Sequence, residues 1–210
     1  MTGHLETRLN SGLNALGLNP DEHPCAAYLA YIDLLCRWNK VYNLTAIHGA
    51  EKMLSWHVLD ALSILPYIQG HHCLDVGTGA GLPGLILALA NPDQHWVLLD
   101  SNSKKIHFVT QAVIELDVDN VEVIRNRVED YQSSTPLTTI TARAFASLTQ
   151  LYQRTRHLLT QKGTMLAMKG PESAEDIAQF DQDELVVKIH VLNVPGVDSG
   201  RSMVEVRYRG

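Results

Sequence analysis

Three glycines at alternate positions, Gly77, Gly79 and Gly81, stand between a short apolar run and a longer one in Leu74-Asp75-Val76-Gly77-Thr78-Gly79-Ala80-Gly81-Leu82-Pro83-Gly84. Upstream, His72-Cys73-Leu74-Asp75-Val76 has the length of a buried strand. Downstream, residues 82–90 have helical length, with Pro83 near the first turn, where a missing N–H costs little. A strand, a glycine turn and a helix in that order leave bare backbone N–H groups beside whatever binds, because no Cβ stands in the way. The stretch implies a nucleotide-like cofactor.

A glycine pattern needs its strand, its helix and an acid about 20 residues further on to carry weight. All three are present. His95-Trp96-Val97-Leu98-Leu99 reads as a second strand, with Asp100 at its carboxyl end, where a carboxylate can accept both ribose hydroxyls of an adenosine. The alternative for Asp100 is a helix N-cap. A dinucleotide would bring a pyrophosphate close to Asp75, an unfavourable neighbour. S-adenosylmethionine instead brings an ammonium and a sulfonium, which an acid there can face, and the chain has no Tyr-x-x-x-Lys pair for hydride transfer. Asp75, Gly77, Gly79 and Asp100 are therefore candidate contacts to S-adenosylmethionine rather than NAD.

Strand-like and helix-like runs alternate onward, which predicts a doubly wound parallel sheet. Residues 104–116 read as a helix, Val121–Arg125 as the third strand, residues 137–141 as the fourth, 147–159 as a helix and 163–169 as the fifth strand. An acidic helix near residues 172–180 follows, then two strands, Leu185–Leu192 and residues 203–208, joined by a loop with Pro195-Gly196 and Ser199-Gly200. A closing antiparallel pair after five parallel strands predicts the Rossmann-like, seven-stranded α/β sheet of a class I S-adenosylmethionine-dependent methyltransferase. Residues 71–210 form that domain. Residues 1–70 carry Leu5, Leu9 and Leu13, then Tyr28, Ile32 and Leu35, then Met53, Trp56 and Leu59 at helical spacing, and predict an N-terminal helical cap. His57 and Asp60 on its third helix are open to a functional role, but the leading reading is a hydrogen-bonded structural pair or solvent-facing polar residues.

Composition narrows the function. No apolar run approaches the roughly 20 residues of a membrane span, and the start Met1-Thr-Gly-His-Leu-Glu has no signal-like core, so a soluble cytoplasmic chain is expected. Three cysteines, Cys25, Cys36 and Cys73, at wide spacings offer neither a disulfide framework nor a metal site. The net charge of −6 opposes nucleic-acid binding, yet residues 71–171 hold nine Lys and Arg against nine Asp and Glu. Arg125, Arg127, Arg143, Arg154, Arg156 and Lys169 are the candidates for a local basic face.

Trp38-Asn39-Lys40-x-Tyr42-Asn43-Leu44-Thr45, His57-x-Leu59-Asp60, the Asp75–Gly84 stretch, Leu98-Leu99-Asp100-Ser101, Arg143-Ala144-Phe145-Ala146-Ser147-Leu148 and Met168-Lys169-Gly170 occur in this order. In wording and spacing they resemble the bacterial RsmG (GidB) family over about residues 25–205. The resemblance implies methyl transfer from S-adenosylmethionine to N7 of one guanosine in 16S ribosomal RNA, by a monomer without metal, on naked RNA or the small ribosomal subunit. Carried over by position, the family's cofactor contacts fall on Gly77, Leu82, Val128, Glu129 and Arg143, while Arg143 and Lys169 are the candidate catalytic, substrate-contacting residues. Ala80, Trp56 and Ala61 depart from the family's frequent proline, arginine and serine.

The chain lacks the Asn/Asp-Pro-Pro-Tyr/Phe motif of exocyclic-amine methylation, and Cys73, within a buried strand, is no nucleophile of cytosine C5 chemistry. Guanine N7 needs neither. Two alternatives remain open from the residues: a methyltransferase of another substrate, and a non-enzymatic RNA-binding module of ribosome assembly.

Overall fold

The computed structural model describes residues 2–144, 147–170, 180 and 184–209. Its first third is helical: α1 (Thr2–Ala15), α2 (Cys25–Tyr42), and then α3 (Ala50–Met53), which runs through a π-helical segment, Leu54–Leu59, into α4 (Asp60–Leu62). The alternation that follows is β1 (His72–Val76), α5 (Gly84–Ala90), β2 (His95–Asp100), α6 (Ser103–Glu115), β3 (Val121–Arg125), β4 (Leu137–Arg143), α7 (Leu148–Thr155) and β5 (Leu159–Lys169). The pair β6 (Leu185–Leu192) and β7 (Arg201–Tyr208) closes it.

The seven strands lie in the order β3-β2-β1-β4-β5-β7-β6. Strands β1 to β5 are mutually parallel, and β7 is inserted antiparallel between β5 and β6. The sheet is thus the class I methyltransferase arrangement that the strand pattern predicted. The order reverses between β1 and β4, and in open α/β sheets that crevice, at the carboxyl ends of the strands, is where ligands bind.

Alternate strand residues feed two cores. Leu74, Val76, Ile140, Ala142, Met165 and Val204 pack with Leu148, Leu151 and Tyr152 of the α7 layer. Cys73, Trp96, Leu98, Leu166 and Met203 face the other way, into one cluster with Leu85 and Ile86 of α5, Phe108 of α6, and Leu9, Tyr31 and Leu35 of the N-terminal helices. The helical unit and the sheet therefore share a core.

Some boundaries move. Helix α5 begins at Gly84 because the Leu82 amide first closes a turn on the Thr78 carbonyl at 2.8 Å. Helix α7 stops at Thr155, and β5 starts earlier than the alternation suggests, at Leu159, paired with Leu137. The acidic helix expected near residues 172–180 falls, Phe180 apart, outside the described residues. Among the described residues no helix is long and apolar enough to cross a membrane, and no three His, Cys, Asp or Glu side chains gather as a metal would require.

Gly84 fixes how closely α5 lies on the sheet. A Cβ there would stand 2.4 Å from Leu98 Cδ2 and 2.6 Å from Asp75 Cβ. Gly84→Ala must push α5 away from β1 and β2, an overpacking worth about 1–3 kcal/mol. A fall in Tm of roughly 2–12 °C is expected in thermal unfolding of a chain this size; an unchanged Tm would mean that the helix does not sit this close.

Candidate functional site

The residue just before the glycine turn is its anchor. Asp75, with no exposed surface, accepts hydrogen bonds from the Thr78 hydroxyl at 2.6 Å, the Gly84 amide at 3.0 Å and the Thr141 hydroxyl at 3.0 Å. Burial raises its pKa, against those three bonds. All three partners donate, which suits the carboxylate form. The turn is held from two more sides: the Thr78 amide donates to the Leu99 carbonyl at 3.0 Å, and the Tyr31 hydroxyl of α2 donates to the Ala80 carbonyl at 2.7 Å.

Within that frame Gly77 and Gly79 have φ of +67° and +62°, the left-handed region that side chains rarely enter. A Cβ on Gly77 would meet no atom within 4 Å, so its backbone borders open space. Asp100 stands across from it. Its Oδ2 accepts from the Gly79 amide at 2.9 Å and lies 3.9 Å from Lys105 Nζ, while Oδ1 accepts from the Asn102 amide at 2.8 Å. Asn102, not Asp100, caps α6, its side chain accepting from the Lys104 and Lys105 amides. Asp100, buried, lines the wall of a cleft.

That cleft is lined by Gly77, Asp100, Asn126, Val128 and Glu129, with Arg154 of α7 at its mouth, 3.0 Å from Glu129 Oε1. Of the candidate cofactor residues, Gly77, Asp100, Val128 and Glu129 meet here, and Gly79 joins them through its bond to Asp100. Asp75 lies beneath the turn, and Leu82 is packed into the core behind it. The remaining candidates, Arg143 and Lys169, end β4 and β5.

Arg143 belongs to a second cluster. Its Nη1 reaches the Trp56 carbonyl at 3.2 Å and Asp60 Oδ2 at 3.5 Å. Asp60 Oδ1 lies 3.2 Å from Arg201 Nε, an ion pair without hydrogen-bond alignment, and the Arg201 guanidinium lies 4.9 Å from the centre of the Trp56 ring. His57 and Asp60 are both buried, and each turns to other partners. The His57 Nδ1–H donates to the Trp56 carbonyl at 2.9 Å, and Nε2 accepts from the Thr45 hydroxyl at 3.0 Å. Thr45 in turn is gripped by Asn39, which accepts from its amide and donates to its carbonyl.

The expected basic face is divided. Arg143 and Arg154 are committed to Asp60 and Glu129, Lys169 is buried, and Arg125, Arg127 and Arg156 are exposed. Asn126 and Arg201 were not anticipated. Asn126 sits beside Val128 after β3 and was within reach of the same reasoning; Arg201 opens a strand far along the chain and carries no local signal.

The whole chain has relatives. A profile described as rRNA small subunit methyltransferase G (GidB) matches residues 25–204. Proteins named ribosomal RNA small subunit methyltransferase G are 43% identical over 206 residues in Laribacter hongkongensis, covering 98% of this chain and all of that one. In Neisseria meningitidis serogroup C the identity is 46% over 203 residues, covering 96% of this chain and 98% of that one. Among solved structures, the precorrin-6y C5,15-methyltransferase of Geobacter metallireducens matches with a TM-score of 0.58 at 10% identity, over 80% of this chain and 92% of that one. A SAM dependent methyltransferase of Aquifex aeolicus matches with a TM-score of 0.55 at 13% identity, over 73% and 92%. These last two are likenesses of fold.

Burial, with the Arg143 guanidinium nearby, lowers the His57 pKa from 6.5 to about 3. The unfolded chain takes up that proton near pH 6.5 and the native one does not, so stability is present in full above pH 6.5 and is lost as pH falls toward 3. The slope is at most about 1.4 kcal/mol per pH unit. Asp60, pushed up by burial, titrates with the opposite sign, so the informative quantity is a difference between variants. His57→Gln is expected to flatten the fall of Tm between pH 6.5 and 4. An identical slope in both proteins would show that native His57 protonates normally.

Proposed function

The chain belongs to the rRNA small subunit methyltransferase G (GidB) family, and on that premise we propose that it methylates N7 of a guanosine in the 16S RNA of the small ribosomal subunit, in the cytoplasm, using S-adenosylmethionine. The observation that carries the reading is the cleft in which the Gly77 backbone borders open space and Asp100 forms part of the wall. It lies at the carboxyl ends of β1 and β2, beside the reversal of strand order.

The residues fit such a cofactor. Asp100 would take the ribose hydroxyls, with lone pairs left beside those given to Gly79 and Asn102. Val128 would pack on the adenine, and Glu129 or the backbone beside it would accept from the exocyclic amine. The amides of the glycine turn would meet the methionine portion. Asp75 acts through the turn it folds, and Leu82 through the core behind it.

S-adenosylmethionine, when bound, supplies an electrophilic methyl on a sulfonium. Guanine N7 carries a free lone pair, so this chain need not supply a base to remove a proton before attack. Its work is positioning, which in well-oriented systems reaches effective molarities of roughly 10⁵–10⁸ M. Arg143 and Lys169 are the candidate donors to the guanine O6 and the RNA backbone, since a donor on N7 would block attack. The guanidinium of Arg143 is directed to the Trp56 carbonyl and Asp60, which favours a contact on the substrate side of the cleft.

The direct test maps N7-methylguanosine by chemical cleavage in small-subunit RNA incubated with the protein and labelled cofactor. One new site that requires both is expected; a methylated small molecule or protein with unmodified RNA would overturn the reading. In calorimetric titration, Asp100→Asn is expected to weaken S-adenosylmethionine binding roughly 10- to 100-fold, the worth of hydrogen bonds to a charged acceptor. Parental affinity would remove Asp100 from the ribose.

A further inference from the structure

One buried carboxylate at the working edge of the sheet is shared by two guanidiniums that arrive on different strands. Arg143 ends β4, beside the reversal of strand order. Arg201 opens β7, and because β7 runs antiparallel, with Ser202 opposite Lys169, it lies at the same edge as the ends of the parallel strands. The Asp60 side chain is 1% exposed, whereas those of Arg143 and Arg201 retain 23% and 22%. Each guanidinium spends one nitrogen on Asp60, and the planar five-donor fork leaves others available.

The backbone beneath is shaped to this arrangement. Asp60 follows the π-helical segment, and its amide donates to the Ser55 and His57 carbonyls rather than to the Trp56 carbonyl that an α-turn would use. The Trp56 carbonyl meets Arg143, and the Trp56 ring lies against Arg201. Single π-turns inside α-helices concentrate at functional sites. A buried ion pair is also a weak way to gain stability, since apolar side chains of similar volume commonly do as well. What it supplies is fixed orientation.

We propose that Asp60 is a positioning residue for methyl transfer, holding Arg143 and Arg201, with Trp56 as the stacking wall, as a paired guanidinium edge for the phosphate and carbonyl oxygens of RNA around the target guanosine. The inference rests on the functional reading given above. Arg forks match phosphate oxygens, and a fixed fork loses less entropy on binding than a free one. Asp60 itself touches no substrate.

The test is a double-mutant cycle on binding of a small-subunit RNA fragment containing the target guanosine, with methylation read in parallel. Asp60→Asn is expected to weaken RNA binding roughly tenfold in the parent, about the worth of one misplaced charge-assisted contact. In an Arg143→Gln, Arg201→Gln background the same change should cost less than about twofold, because residues that act as a unit are not additive. Affinity for S-adenosylmethionine should survive in Asp60→Asn. Equal costs in both backgrounds, no cost in the parent, or joint loss of cofactor affinity and Tm would each overturn the proposal. If Asp60→Asn does not fold, Trp56→Leu is cycled against Arg201→Gln, and a cost that survives the loss of Arg201 overturns it. A parent that methylates the RNA but shows additive costs refutes the role of Asp60 alone; a parent that binds cofactor but neither binds nor methylates the RNA refutes the functional reading with it.

Discussion

A carboxylate sealed from water is unfavourable unless donors replace the solvent, and Asp75 has three of them, on Thr78, Gly84 and Thr141. The turn, the first residue of α5 and the neighbouring strand β4 are thereby bound to one point. With the turn held there, Gly77 and Gly79 take positive φ angles and Asp100 reaches the Gly79 amide. Gly84 is small enough for α5 to lie against that carboxylate, and Tyr31 ties the far side of the turn to the helical unit. The cleft is therefore a consequence of how one acid is satisfied.

The N-terminal helices serve the sheet in two ways. Their apolar faces, with Leu9, Ile32 and Leu35, complete the core over β1, β2 and α5. Their polar residues reach the carboxyl edge, where Asn39 holds Thr45, Thr45 donates to His57, and Asp60 meets Arg143 and Arg201. The strand order brings these two clusters side by side: the glycine cleft on the β1 and β2 side of the reversal, the arginines on the β4 and β7 side.

Much of this was legible in the chain. Apolar runs bounded by turn residues gave β1, β3 and β6 with their observed ends, β2 to within one residue and the other described strands within a few residues; the signal is plainest for β1 and β2, which are buried on both faces. The glycine turn and Asp100 were readable because the motif keeps them within about 25 residues of one another, whereas Val128 and Glu129 came only through the resemblance to the RsmG (GidB) family. The direction of Asp75 was not. Its charge suggested a ligand partner, but alternation along β1 turns it into the α5 layer, with Cys73, where backbone and hydroxyl donors meet it. Asn102 takes the helix cap that was the alternative reading for Asp100, because the strand runs on to Asp100 itself. The π-helical segment and Arg201 carry no local signal, since both depend on contacts between elements far apart in sequence.

On this reading the Asp75-anchored turn and the Asp100 carboxylate together form the seat of the methyl donor. A crystal structure with S-adenosylhomocysteine tests it most directly. The ribose is expected on Asp100, the adenine beside Val128 and the amino-acid portion along Gly77 and Gly79, with the bonds of Asp75 unchanged. Density for the ligand elsewhere, such as the groove between α2 and α6 near Arg37 and Glu115, with the glycine turn unchanged and empty, would contradict it.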